Sequence, residues 1–272
     1  MEQQDKQLKE VLLYMLDTID KICRAHNIDY FLDSGTALGA IRHEGFIPWD
    51  DDIDIGMMRE DYKRFLEIAP HELPSDLVLQ NEINEPTYYL FFTKVRKLNT
   101  IYSDNNREQN FKYKGIQIDI FPFDYIGNDL EAASTYFDKL EKLRFIAEKR
   151  MVVIPPQKAL KRFVYYIMRL VPVRFYRRKL EYMMQKNNDS VKKYVASYTY
   201  IMSKKKRCIF PAEAINPVKD VLFEGKTYMI MNDPDSYLKI MYGDYMKLPP
   251  EEERIPHHIG KKIIFDTSEN QI

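Results

Sequence analysis

Four aspartates fall within five positions, Asp50, Asp51, Asp52 and Asp54, directly after the single tryptophan of the chain, Trp49. In DDDIDIGM the last acids alternate with isoleucine. A strand turns successive side chains to opposite faces, so this pattern predicts Asp52 and Asp54 on one face and Ile53, Ile55 and Met57 on the other. Two carboxylates held side by side repel each other and are stable as anions only with a cation between them. A second acidic strand is expected at Gly115 to Asp124, GIQIDIFPFD, where Asp119 shares a face with Gln117 and Phe121. An aspartate in the middle of an apolar strand needs a partner or a cleft. Asp124, past Pro122, is equally well read as a capping or ion-paired acid. Three hard oxygen ligands, Asp52, Asp54 and Asp119, favour Mg²⁺ or Mn²⁺, and such an ion normally completes its shell with water and substrate phosphates. The chemistry expected of that set is phosphoryl transfer. A calcium EF-hand loop is excluded although Asp50, Asp52 and Asp54 match its first ligands, because Ile55 stands at the glycine position and Asp61 at the closing glutamate.

Other residues could serve the same chemistry. Ile28 to Leu32 followed by Asp33-Ser34-Gly35-Thr36 and then Ala37 to His43 reads as strand, tight turn and helix. Such a helix start suits a phosphate, although a Ser-Gly-Thr turn is more often only an N-cap. In FFTKVRKLNT a strand would put Lys94 and Arg96 on one face, where they could bind phosphate oxygens or simply blunt a solvated edge. His257 and His258 are adjacent, so at most one of them could point into a site.

The elements that must position these groups follow from periodicity. Leu8, Val11, Leu12, Met15, Leu16, Ile19, Ile22 and Cys23 form a helical stripe ending near His26-Asn27. Helices are predicted at Arg59 to Leu73, Leu130 to Arg150, Gln157 to Leu170, Val173 to Asn187 and Asp233 to Met241. Two or three strands are expected in Leu77 to Tyr102, and a hairpin in Val218 to Met231 around Glu224-Gly225-Lys226. The 272 residues, 45% of them hydrophobic, suffice for a core plus a helical subdomain. A change of character near Asn128 suggests a catalytic core at 1–127, a basic helical subdomain at 128–217, and a closing hairpin, helix and Pro-rich tail at 218–272.

Composition removes several classes. Lys+Arg and Asp+Glu are both 41, so no global field favours nucleic acid. Two cysteines, Cys23 and Cys208, without a CxxC pair suggest a reducing compartment and no structural zinc. No apolar run is long enough to span a membrane, which leads to the expectation of a cytoplasmic protein. Between Gln157 and Lys186, however, nine basic residues interleave with aromatics against one acid, Glu181. That composition suits either an anionic membrane surface on the inner leaflet or an ordinary solvated helical face.

Taken together, GTALGAIRHEGFIPWDDDIDIGMMREDYKRF, GIQIDIFPFD and YGDYMKLPP resemble the LicD family of phosphotransferases, which includes the fukutin-related transferases. The resemblance implies an α+β fold, a nucleotidyltransferase-like mixed sheet flanked by helices, with a C-terminal helical subdomain. It implies Asp52 and Asp54 as metal ligands and Asp119 as a third ligand or as base on the acceptor hydroxyl. Ser34, Gly35 and Thr36 would face the nucleotide phosphates, Lys94 and Arg42 would partner the diphosphate, and Trp49 could meet a quaternary ammonium. It further implies transfer of phosphocholine from CDP-choline, or of another phosphorylated alcohol, to a sugar hydroxyl of a teichoic acid or lipopolysaccharide precursor on a polyprenyl-phosphate lipid, with release of CMP. Alternatives are nucleotidyl transfer with release of pyrophosphate and a non-catalytic, membrane-associated scaffold of glycan assembly.

Overall fold

The computed structural model describes residues 2–103, 111–151, 160, 162, 163, 166, 173–198, 208–255 and 262–266. His257, His258 and much of the basic stretch 157–172 therefore lie outside the described residues. In chain order the elements are α1 (Glu2–Ala25), β1 (Phe31–Leu32), α2 (Ser34–His43), β2 (Asp54–Met58), α3 (Arg59–Glu72), β3 (Leu77–Gln80), β4 (Thr93–Lys97), β5 (Ile101–Ser103), β6 (Gln117–Gly127), α4 (Leu130–Met151), α5 (Val173–Gln185), β7 (Tyr194–Ala196), β8 (Ile209–Pro211), α6 (Ala212–Ile215), β9 (Lys219–Phe223), β10 (Lys226–Ile230), α7 (Pro234–Tyr242) and β11 (Lys262–Ile264). The fold is a mixed sheet flanked by helices, as the resemblance implies.

The chain divides into two compact units, one of Met1–Pro122 with Glu213–Ile272 and one of Phe123–Ala212. In the first, the strand order is β3-β4-β6-β2-β1-β10-β9. The β4–β6 register sets Lys94 opposite Asp119 and Arg96 opposite Gln117. β1 has only two residues but is held from both sides, antiparallel to β2 and parallel to β10. β9 and β10 close around Glu224 (φ 50°) and Gly225 (φ 75°), two left-handed residues that form a tight primed turn. The apolar stripe of α1 is buried as its spacing predicts, Cys23 included, except that Val11 is only half-buried. Its polar side is tied to the hairpin: Tyr228 donates to Asp17 at 2.7 Å, and Arg24 reaches Asp220 at 2.7 Å. In the second unit, the C-terminal half of β6 pairs with β7, and β7 with β8. Asp124 is fully buried there and accepts from the Asn188 amide at 2.6 Å, which settles it as a structural acid.

Two boundaries differ from expectation and both bear on the site. α2 begins at Ser34, not Ala37, because the Asp33 side chain caps it there, so the Ser-Gly-Thr segment is the first helical turn. β2 begins at Asp54, not Asp52. The run Asp50–Asp52 has low strand propensity and leaves the ladder, although pairing reaches back to Ile53, whose carbonyl accepts from Asp119 N–H at 3.2 Å.

Gly115 keeps the β4–β6 register. A Cβ there would lie 1.9 Å from the Lys97 carbonyl oxygen and 2.7 Å from Thr100 Oγ1. Gly115→Ala must push the strands apart and should cost about 2 kcal/mol in urea unfolding. A parental midpoint would show that this contact yields freely.

Candidate functional site

The first turn of α2 clamps the start of the acidic strand. Asp54 N–H donates to Thr36 Oγ1 at 2.9 Å, and Asp54 C=O accepts from Asp33 N–H at 2.9 Å. Thr36 is thus buried and engaged with backbone. Asp33 is also fully buried, accepting from Ser34 N–H at 2.7 Å and from the hydroxyl of Tyr237 on α7. Ser34 sits at φ 48°, a left-handed conformation that few non-glycine residues adopt. At Gly35 a Cβ would come within 3.0 Å of Asp50 Oδ2, so this glycine lets the Asp50 carboxylate lie against the positive end of α2. The anion at this helix start is therefore the protein's own, and a phosphate approaching the turn meets Asp50 as well as the helix.

The carboxylates crowd one another. Among the described residues, Asp50, Asp51 and Asp52 offer oxygens that all lie within 4.8 Å of one another. Asp54 and Asp119 are outside that tight group, and Asp52 precedes the first residue of β2. They are nonetheless neighbours electrically. Asp54 is half-buried. That desolvation, followed by the charges of Asp52, Asp119, Asp33 and Asp50, raises its pKa well above the ordinary carboxylate range. Burial likewise pushes Asp50 up to about 6, with Asp51 adding to the rise and a hydrogen bond to Asp52 opposing it. Hard oxygen donors short of positive charge are the donor chemistry that a Mg²⁺-class ion fits.

The cationic candidates are distributed differently from expectation. Lys94, almost fully buried, grips both oxygens of Asp119 at 2.7 and 2.9 Å across the β4–β6 pair. Arg96 is completely enclosed. It donates to Gln80 Oε1 at 2.7 Å and to the Gly115 carbonyl at 2.8 Å, while Gln80 bonds Glu85, so its guanidinium braces the sheet and faces no solvent. Arg42 stands at the far end of α2, about 12 Å of helical rise beyond Ser34. There its guanidinium donates to the Tyr245 carbonyl at 2.7 Å. The resemblance implies Arg42 as a partner of the diphosphate, and in this structure its guanidinium is engaged with the Tyr245 carbonyl instead. Trp49 lies beside Asp50 and Asp51, half-buried, with the Arg254 guanidinium 5.7 Å from its ring centre. Three contributors escaped the sequence reading: Asp50 as a site carboxylate, and Asp33 with Tyr237 as a brace. The cap position of Asp33 was visible; its tyrosine partner, 204 residues away, carried no local signal.

An acid with a raised folded pKa binds more protons folded than unfolded. Its effect on stability therefore turns unfavourable as pH rises above about 4, the ordinary aspartate value. That loss continues to about 6 for Asp50 and higher for Asp54. In EDTA, Asp54→Asn should lose less of its urea midpoint than the parent between acid and neutral pH, and should be at least as stable at neutral pH. A variant clearly less stable there would make Asp54 an ordinary structural carboxylate.

Residues 27–159 match the family described as LicD/FKTN/FKRP, nucleotidyltransferase domain. The lipopolysaccharide cholinephosphotransferase LicD of Haemophilus influenzae is 29% identical over 263 residues, covering 94% of this chain and 96% of that protein. The ribitol 5-phosphate transferases FKRP of mouse and human are 28% and 27% identical over 138 residues, about half of this chain but only 24% of their own length. Residues 27–159, which carry the clamped acidic strand and its Lys94–Asp119 neighbour, are thus similar to the nucleotidyltransferase domain of the LicD/FKTN/FKRP family.

Proposed function

We propose that this chain is a transferase that moves a phosphorylated alcohol from a CDP carrier to a sugar hydroxyl of a cell-surface glycan precursor, releasing CMP. The observation that carries the reading is the group of carboxylates around Asp54, whose mutual repulsion calls for a cation. The relatives' names, a cholinephosphotransferase and a ribitol phosphate transferase, support the transferred group. Phosphocholine is the favoured cargo, because the relative aligned over nearly the whole chain transfers it. Trp49, already within reach of one cation in Arg254, is a ring that could meet a quaternary ammonium.

In this reading Asp52, Asp54 and Asp119, with Asp50 beside them, hold Mg²⁺ or Mn²⁺. Such an ion, when bound, neutralises the charge of the diphosphate and of the phosphoryl group in flight. Lys94 fixes the Asp119 carboxylate and adds positive charge next to it. The acceptor oxygen forms its bond to the phosphorus of the alcohol phosphate as the bond to the CMP oxygen breaks. The hydroxyl proton passes to a carboxylate of the cluster, and CMP leaves with the bonding electrons. Asp119, oriented by Lys94, is the carboxylate suited to take that proton. Arg96 and Arg42, engaged with protein groups, have no part in this scheme. The chain would work in the cytoplasm on a teichoic acid or lipopolysaccharide precursor carried by a polyprenyl-phosphate lipid.

Incubation of the purified chain with CDP-choline, CDP-ribitol, CDP-glycerol or CTP, each with Mg²⁺ or EDTA and a glycan acceptor, tests the reading. CMP should form from a CDP-alcohol and only with the cation. Pyrophosphate from CTP would replace it with nucleotidyl transfer. Asp119→Asn should lower CMP release at least about a hundredfold while circular dichroism stays parental. Turnover within a few-fold of the parent would remove Asp119 from the chemistry.

A further inference from the structure

Helix α5 has two unlike sides. Leu180 and Met184 are buried, and the Tyr136 hydroxyl of α4 donates to the Met183 carbonyl at 2.8 Å, so this side is packed. Phe175, Arg178, Lys179 and Tyr182 fall at spacings of three, four and seven, which makes one stripe on the other side. All four are exposed, Phe175 at 58% and Tyr182 at 72%. No acid lies on the stripe, since Glu181 is turned to Arg177 at 3.9 Å. A second segment of the same unit repeats the composition: Leu160, Phe163 and Tyr166 are helical, each more than half exposed, with Arg162 exposed between them.

Rings left largely in water need a reason, and rings alternating with cations have one at the headgroup boundary of an anionic bilayer. Aromatic bodies enter the acyl boundary while Arg and Lys reach lipid phosphates. No described helix is long and apolar enough to cross a membrane, so the contact would lie along the surface. A second copy fits poorly, because a two-fold pairing through this stripe would bring Arg178 and Lys179 close to their own like charges.

We propose that the Phe175–Tyr182 face of α5 docks the chain on an anionic lipid surface. The inference rests on this face alone and not on the transfer reaction. The basic cluster expected from sequence narrows accordingly, since Arg177 is half-buried beside Glu181 and belongs to the packed side.

The full chain is sedimented with vesicles of phosphatidylcholine alone or mixed with phosphatidylglycerol. The parent should pellet with the mixed vesicles at low salt and be released by high salt. Phe175→Ser/Tyr182→Ser and Arg178→Glu/Lys179→Glu should each weaken that partition at least about tenfold. Circular dichroism checks their fold, and if the serine pair unfolds the charge pair carries the test. Equal pelleting with neutral vesicles, or pelleting unchanged in the folded variants, overturns the proposal. So does a dimer in light scattering that the serine pair abolishes, which would assign the face to self-association.

Discussion

Like charges gathered where water is scarce set the terms for the rest of this structure. The backbone of Asp54 is fixed at both its polar atoms by the start of α2, so the residue cannot swing away from Asp52, Asp119, Asp33 and Asp50. Each neighbour makes its ionisation harder. The protein accepts this instability locally and holds it in place with ordinary elements: a cap, a threonine hydroxyl and a two-residue strand gripped from both sides. Local destabilisation maintained by a rigid frame is the usual mark of a site built to receive something of opposite charge.

Much of that frame was legible in local pattern. The α1 stripe, the hairpin at Glu224-Gly225, the acidic strands and the glycine turn all announce themselves within a few residues, because periodicity and turn chemistry are short-range signals. Gly35 is expected in a tight turn facing the nucleotide phosphates, and the structure adds a further purpose, the gap that admits Asp50. What could not be read was pairing at a distance. Nothing near Arg96 shows that it will be satisfied by Gln80 and the Gly115 carbonyl, and a strand alternation treats it as equivalent to Lys94. The two cations share a face by spacing, yet one meets a site carboxylate and the other vanishes into the sheet. Alternation also set the start of the acidic strand too early. It describes a strand once formed and does not say where the strand begins.

Arg96 and Lys94 illustrate one rule. A cation becomes available to a ligand according to what else it can reach, and burial with carbonyl partners is a stronger competitor than solvent. On α5 the logic reverses. Arg178 and Lys179 keep company with exposed rings, and Arg177, one position away, turns to Glu181.

The brace from Tyr237 to Asp33 joins residues 204 apart, and β10, beside β1, also belongs to the last quarter of the chain. During synthesis every carboxylate of the cluster has left the ribosome once Asp119 emerges, long before the hairpin and α7 exist. The nascent polypeptide therefore carries its charges before the Tyr237 brace and the β10 neighbour of β1 exist. Maturation of the centre waits on the final quarter of translation, so a truncated product would keep all of its acids and lack the vessel.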